Sequence, residues 1–105
     1  MTRYIEDLKK ISRGLKMRPQ STIPDCLDTA FRVRAETGLA FREGFIVSEK
    51  DKYEHSWNYD PETNEIIDLS SDFPKIIVIP KDSETGRRYM TFAEYRASGK
   101  RLPYQ

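Results

Sequence analysis

Three side chains in this chain of 105 residues are of the types that acyl-transfer chemistry uses. Cys26 is the only cysteine, His55 is the only histidine, and Asp68 follows His55 beyond a turn. A thiol nucleophile needs a base that takes its proton and a third group that orients the base. The sequence therefore predicts a catalytic triad of Cys26, His55 and Asp68 if the fold brings the three side chains together.

The segment 53–70 carries two of these side chains. Aromatic and polar residues alternate before residue 60, Pro61 and Asn64 mark a turn, and isoleucines follow the turn. This pattern is typical of two antiparallel strands joined as a hairpin.

The register of this hairpin decides whether His55 and Asp68 meet. One register pairs Tyr59 with Ile66. In that register Trp57 lies opposite Asp68, and His55 is the diagonal neighbour of Asp68 on the same face, with roughly 7–8 Å between their backbones. A register tighter by two residues puts His55 directly opposite Asp68, whereas a slip by one residue puts them on opposite faces. The spacing permits a carboxylate-oriented imidazole without requiring one.

Cys26 falls at the predicted start of the second helix. Ser21 or Thr22 is a candidate N-cap, and Pro24 suits the first turn because it has no amide hydrogen to leave unpaired. Free amides and the positive end of a helix favour a thiolate in that turn. The helix is predicted to end near residue 37, with Gly38 as a left-handed cap.

Each of these residues also has an interpretation without chemistry. A histidine beside Trp57 is often a half-buried strand residue whose ring nitrogen has a hydrogen-bond partner. Cys26 shares a stripe with Ala30 and Val33 at helical spacing, as a small buried apolar residue would.

The remaining pattern predicts an α+β architecture. Tyr4, Leu8, Ile11 and Leu15 recur on one face of an N-terminal helix. Residues 39–47 predict a strand or a strand pair, and residues 75–79 predict a short buried strand. Residues 91–94 form a capping box that opens a short C-terminal helix ending at Gly99. We therefore expect one domain, residues 1–105, with N-terminal helices packed on a small antiparallel sheet.

Composition limits the function classes. Hydrophobic residues make up 37% and charged residues 33%, which is within the globular range. The 18 basic and 17 acidic residues leave a net charge of +1, which gives no electrostatic reason to expect a nucleic-acid or membrane partner. A single cysteine fits a reducing compartment, so we expect a cytoplasmic protein. No cofactor motif is present.

The order of these residues resembles the transglutaminase-like branch of the papain-like cysteine-enzyme superfamily. The matching segments are residues 24–30, 55–58 and 66–70, within roughly residues 20–74. The resemblance implies that Cys26 is the nucleophile, that His55 is the general base and acid, and that Asp68 orients His55. It also implies that Gln20, six residues before Cys26, helps to form an oxyanion hole. Trp57 is expected to be a packing wall behind His55.

The resemblance implies acyl transfer on a protein or peptide substrate through a thioester. Water or an amine then resolves the thioester, so hydrolysis, deamidation and transamidation remain open. Asp25 departs from the family pattern, which usually has glycine or a bulky aromatic residue beside its cysteine.

Two other functions compete with the enzyme. A non-catalytic protein-interaction module, or an inactive member of the same fold, would use Tyr and Arg side chains such as those in 87–89 and 101–104. A zinc site at Cys26, His55 and Asp68 is poorly supported, because a structural site needs four ligands and no ligand-spacing motif is present.

Overall fold

The computed structural model describes residues 4–16, 25–71 and 75–99 of the chain. Within these ranges, three α-helices and a five-stranded antiparallel sheet confirm the predicted α+β class. In chain order the elements are α1 (Ile5–Lys16), α2 (Cys26–Thr37), β1 (Ala40–Val47), β2 (Lys52–Asp60), β3 (Glu65–Asp68), β4 (Ile77–Pro80), a short 3-10 helix (Gly86–Arg88), β5 (Tyr89–Thr91) and α3 (Phe92–Ser98).

The helix ends follow their capping residues. Asp25 is the N-cap of α2, and its Oδ1 accepts a hydrogen bond from the Leu27 amide at 2.8 Å. The predicted caps Ser21 and Thr22 lie outside the described residues. Gly38 ends α2 with φ 80°, as predicted for a left-handed cap. The capping box of α3 is also confirmed, because Thr91 and Glu94 exchange both hydrogen bonds.

The strands lie in the order β4-β3-β2-β1-β5. The first four strands form an antiparallel meander, and β5 pairs with the other edge of β1. Tyr59 pairs with Ile66, so the first of the two registers that allow His55 to meet Asp68 is the one that forms. Residues 40–47 form one continuous strand, and β4 is half-buried because it is an edge strand.

One side of the sheet, which we call the helix face, carries the helices. Asn58 of β2 points to this side and donates a hydrogen bond to the Ala30 carbonyl of α2 at 3.0 Å. Phe45 of β1 packs edge-on against Tyr95 of α3, with ring centroids 5.0 Å apart. The apolar core on this face consists of Leu8, Ile11, Leu15, Val33, Leu39, Ile67 and Leu69.

The other side, which we call the inner face, has its own core of Trp57, Ile66 and Tyr89. Strand residues alternate between faces, so His55 and Trp57 lie on the side opposite Asn58. Lys81, just after β4, donates from Nζ to the Tyr89 carbonyl on β5 at 2.8 Å. Since β4 and β5 are the two edges of the sheet, this contact requires the sheet to curl around its inner face.

Candidate functional site

His55 lies in the middle of the inner face. It pairs with Gly44 across the β1–β2 ladder, and only 8% of its surface is exposed. Its ring stacks on Trp57, with centroids 6.2 Å apart and planes 18° from parallel. Trp57 therefore forms a wall beside the imidazole, as the sequence predicts.

Asp68 ends β3 and is almost completely buried, with 1% of its surface exposed. Its Oδ1 accepts hydrogen bonds from the amides of Ser70 and Ser71, both at 3.1 Å. These local bonds form because the chain turns directly after the strand, and they fix the rotamer of the carboxylate. The second oxygen, Oδ2, is thereby directed at the inner face.

Three side chains donate to Oδ2 of Asp68. They are Nε2 of His55 at 2.9 Å, Oγ of Ser71 at 2.6 Å and the hydroxyl of Tyr89 at 2.7 Å. An ionised carboxylate only accepts hydrogen bonds, so Nε2 of His55 carries a proton. The structure thus forms the predicted His55–Asp68 pair.

The protonation of Asp68 follows from these bonds. Burial raises the pKa of the carboxyl group, but the hydrogen bond and charge of His55, with the hydroxyls of Ser71 and Tyr89, lower it to about 2. Burial, followed by the charge of Asp68, raises the pKa of Tyr89. Asp68 is therefore an anion and Tyr89 a neutral donor at neutral pH.

The contacts of His55 with Asp68 and Ser71 both use Nε2, which leaves the second ring nitrogen, Nδ1. No described residue forms a hydrogen bond with Nδ1. Oγ1 of Thr29 is the only buried side-chain N or O atom without a partner among the described residues, so Nδ1 is not a buried orphan. The site therefore holds an imidazole that a carboxylate orients through Nε2, and Nδ1 is the ring nitrogen left for a general base to use.

Cys26 does not join this pair. It is the first residue of α2, and α2 packs on the helix face through the Asn58–Ala30 bond. The side chain of His55 lies on the inner face, so the sheet separates the thiol from the imidazole. The described structure thus brings His55 to Asp68 and does not bring Cys26 to them, because spacing along the chain does not determine the face on which a helix packs. Gln20, the predicted oxyanion residue, lies outside the described residues.

Ser71 is not a substitute nucleophile. Its Oγ lies 3.1 Å from Nε2 of His55 and 2.6 Å from Oδ2 of Asp68. In a serine triad the base meets the hydroxyl and the carboxylate through different ring nitrogens. Here both contacts fall on the protonated Nε2, so His55 cannot take the Ser71 proton.

A cavity of about 330 Å³ opens on the inner face next to Trp57 and Tyr89. Its lining residues are Arg42, Trp57, Tyr59, Lys81, Tyr89, Thr91 and Glu94. These residues come from β1, β2, β5 and α3 and from the turn after β4. No local pattern in the sequence predicts this site, since its parts meet only through the curl of the sheet. Tyr89, which the sequence suggests as an exposed residue of an interaction surface, is only 4% exposed.

Two findings concern metals and membranes. Within the described ranges, no group of three or more His, Cys, Asp and Glu side chains is arranged to hold a metal ion. None of the helices in these ranges has the length and apolar character needed to cross a bilayer.

Comparison with protein-family models, with curated proteins and with solved structures finds no match to this chain.

Proposed function

We propose that this chain is a small binding module whose ligand inserts a planar ring into the inner-face cavity. The observation that carries the proposal is the convergence of three aromatic side chains, Trp57, Tyr59 and Tyr89, on one cavity of about 330 Å³. A dry apolar cavity of about 150 Å³ suffices for benzene, so this one has room for a ring with a substituent. Ring faces and edges favour offset or edge-on contacts with another ring.

Contacts within the protein hold the aromatic rings that line the cavity in place, which supports this proposal. Trp57 and Tyr89 meet edge to face, with centroids 5.3 Å apart and planes at 83°. The hydroxyl of Tyr59 donates to Oδ1 of Asn64 at 2.6 Å, which holds the third ring. A ligand that enters such a site orders few side chains, so less of the contact energy is lost to entropy.

Fluorescence offers a direct test, because Trp57 is the only tryptophan. We expect small monocyclic aromatic compounds to change its emission saturably. A ligand of about ten heavy atoms in a good pocket gives Kd values on the order of 10 µM to 1 mM. Absence of saturable binding by every compound in the panel would refute the proposed function.

A matched pair of variants locates the site. Tyr59→Ala removes one cavity wall and is expected to weaken ring binding by about ten-fold or more. Tyr53→Ala removes an exposed tyrosine that is not part of the cavity lining, and it is expected to leave the Kd within two-fold. Equal effects of the two variants would place the ligand elsewhere.

The second candidate function is acyl transfer by a transglutaminase-like or papain-like enzyme with Cys26 as nucleophile. It is supported by the His55–Asp68 bond of 2.9 Å, which uses Nε2 and leaves Nδ1 of His55 without a hydrogen bond to a described residue. Catalysis of this kind further requires the Cys26 thiol to reach Nδ1, and the observed packing of α2 keeps it on the other side of the sheet. Alkylation kinetics of Cys26 test this requirement.

A further inference from the structure

Two of the three charged side chains that line the inner-face cavity already have ionic or hydrogen-bond partners within the protein. Lys81 lies 3.6 Å from the carboxylate of Glu94 and also donates to the Tyr89 carbonyl. Oε1 of Glu94 accepts from the Thr91 amide at 2.8 Å as part of the cap of α3. These two charges offset each other, and both groups have contacts within the protein.

Arg42 is the third charged residue of the cavity, and it has no such partner. Its guanidinium donates from Nη1 to the Phe41 carbonyl at 3.1 Å and lies over the ring of Tyr59, 5.3 Å from the centroid. Among the described residues, Arg42 forms no ion pair. A guanidinium has five N–H donors, so most of its donors remain for a ligand.

The position of Arg42 suits recognition of a planar anion. The cation–π contact with Tyr59 and the bond to the Phe41 carbonyl restrict the guanidinium, and a guanidinium binds a carboxylate through two parallel hydrogen bonds. The aromatic walls begin directly beside it, since Arg42 pairs with Trp57 across the β1–β2 ladder. A ring and an anionic group a few bonds apart would therefore contact Trp57 and Arg42 together.

We infer that the ligand is an aromatic carboxylic acid whose ring enters the cavity and whose carboxylate binds Arg42. This inference rests on the proposed binding function and names the ligand class of that site. The same chemistry has two sources, a free aromatic acid or the C-terminal aromatic residue of a peptide.

Calorimetry with three probes tests the inference on the intact chain. The probes are 3-phenylpropionate, its neutral amide, and a tetrapeptide of three alanines followed by phenylalanine with a free carboxylate. We expect the acid to bind at least ten-fold more tightly than the amide. Tighter binding of the tetrapeptide than of the acid would assign the ligand to a chain terminus, and weaker binding would assign it to a free acid; both outcomes support the ligand class.

Variants of Arg42 test whether its charge, and not the cavity alone, determines the preference for the acid over the amide. Arg42→Gln is expected to bring the affinity for the acid down to that for the amide, so that the ratio of the two affinities falls to about one. Arg34→Gln removes the same charge from the exposed side of α2 and is expected to preserve the ten-fold preference. Arg42→Lys keeps the charge but loses the two-bond geometry, so an intermediate preference is expected.

The two proposals fail in different ways. Equal affinities of the wild-type protein for acid and amide would overturn the aromatic-acid inference and leave the cavity as a ring-binding site. Failure of all three probes to bind would overturn both. The ratio of acid to amide affinity is measured on the wild-type protein, so the test holds even if Arg42→Gln does not fold.

Discussion

The hydroxyl of Tyr89 on β5 donates to Oδ2 of Asp68 on β3 at 2.7 Å, although β2 and β1 lie between these strands. Three strand spacings span about 14 Å in a flat sheet. The bond therefore forms because the sheet curls, and it links the two ends of the inner face. Around it lie the imidazole of His55 on one side and the aromatic cavity on the other.

Replacement of Asp68 by asparagine tests the buried carboxylate. Asp68→Asn removes the charge that His55, Ser71 and Tyr89 stabilise, and it introduces an amide that cannot accept all their bonds. We expect a loss of about 3 kcal/mol in the free energy of unfolding at pH 7, measured by urea denaturation. Asp28→Asn, which changes an exposed carboxylate in α2, is the control and should cost less than about 0.5 kcal/mol.

Acid stability follows from the pKa of Asp68. Folding lowers this pKa from 3.8 to about 2, so the folded state favours the ionised form. The resulting contribution, about 2 kcal/mol, is fully present above pH 4 and is lost as the pH falls through about 2. We expect urea denaturation between pH 5 and pH 2 to show this loss in the wild-type protein. A curve of the same shape for Asp68→Asn would assign the loss to other carboxylates.

Tyr89→Phe removes only the hydrogen bond between the Tyr89 hydroxyl and Asp68, which joins β5 to β3 across the inner face. The ring keeps its contact with Trp57, while Asp68 loses a neutral donor inside the protein. We expect a cost of about 1–2 kcal/mol in unfolding free energy, and an acid transition shifted to higher pH because the pKa of Asp68 rises. Tyr53→Phe, at a tyrosine with 56% exposure, should change neither quantity.

The reactivity of Cys26 distinguishes the second candidate function from the first. Because the sheet separates Cys26 from His55, His55→Gln should leave the rate of iodoacetamide alkylation within two-fold of the wild-type rate. Cys26→Ser should abolish labelling, since the chain has no other cysteine. A ten-fold fall in the alkylation rate of His55→Gln would show that thiol and imidazole interact, and would favour acyl transfer.

Two glycines should respond oppositely to alanine. A Cβ on Gly44 would lie 2.0 Å from the Met90 carbonyl oxygen, so Gly44→Ala must push β5 away from β1. We expect a cost above about 3 kcal/mol, measured by thermal and urea unfolding. A Cβ on Gly14 meets only the end of the Arg32 side chain, at 3.6 Å. Gly14→Ala should therefore stabilise α1 by about 0.5–1 kcal/mol. Equal effects would show that β5 does not approach β1 closely.

The correct sequence predictions depended on local patterns. Pro61 and Asn64 mark the turn, and the alternation around it favours registers that put His55 and Asp68 on one face, one of which forms. The caps at Gly38 and Thr91 were also readable from neighbouring residues.

Relations between distant segments could not be predicted from the sequence. Cys26 was placed with His55 because its position at a helix start is visible in the sequence, whereas the side of the sheet that α2 covers is not. β5 has three residues, too few for a periodic signal, and it was not predicted. The cavity depends on the curl of the sheet and on the burial of Tyr89, and neither has a local signal in the sequence.

The placement of β5 also has a consequence for the order of folding. The four strands of the meander join neighbours in the chain, whereas β5 must return to β1 past three strands. Because distant segments lose more entropy when they meet, we expect β1–β4 to associate first and β5 to dock after the rate-limiting step. Stopped-flow kinetics of Tyr89→Phe should then show faster unfolding with an unchanged refolding rate. The contacts of β5 would in that case slow the unfolding of the sheet without contributing to its assembly.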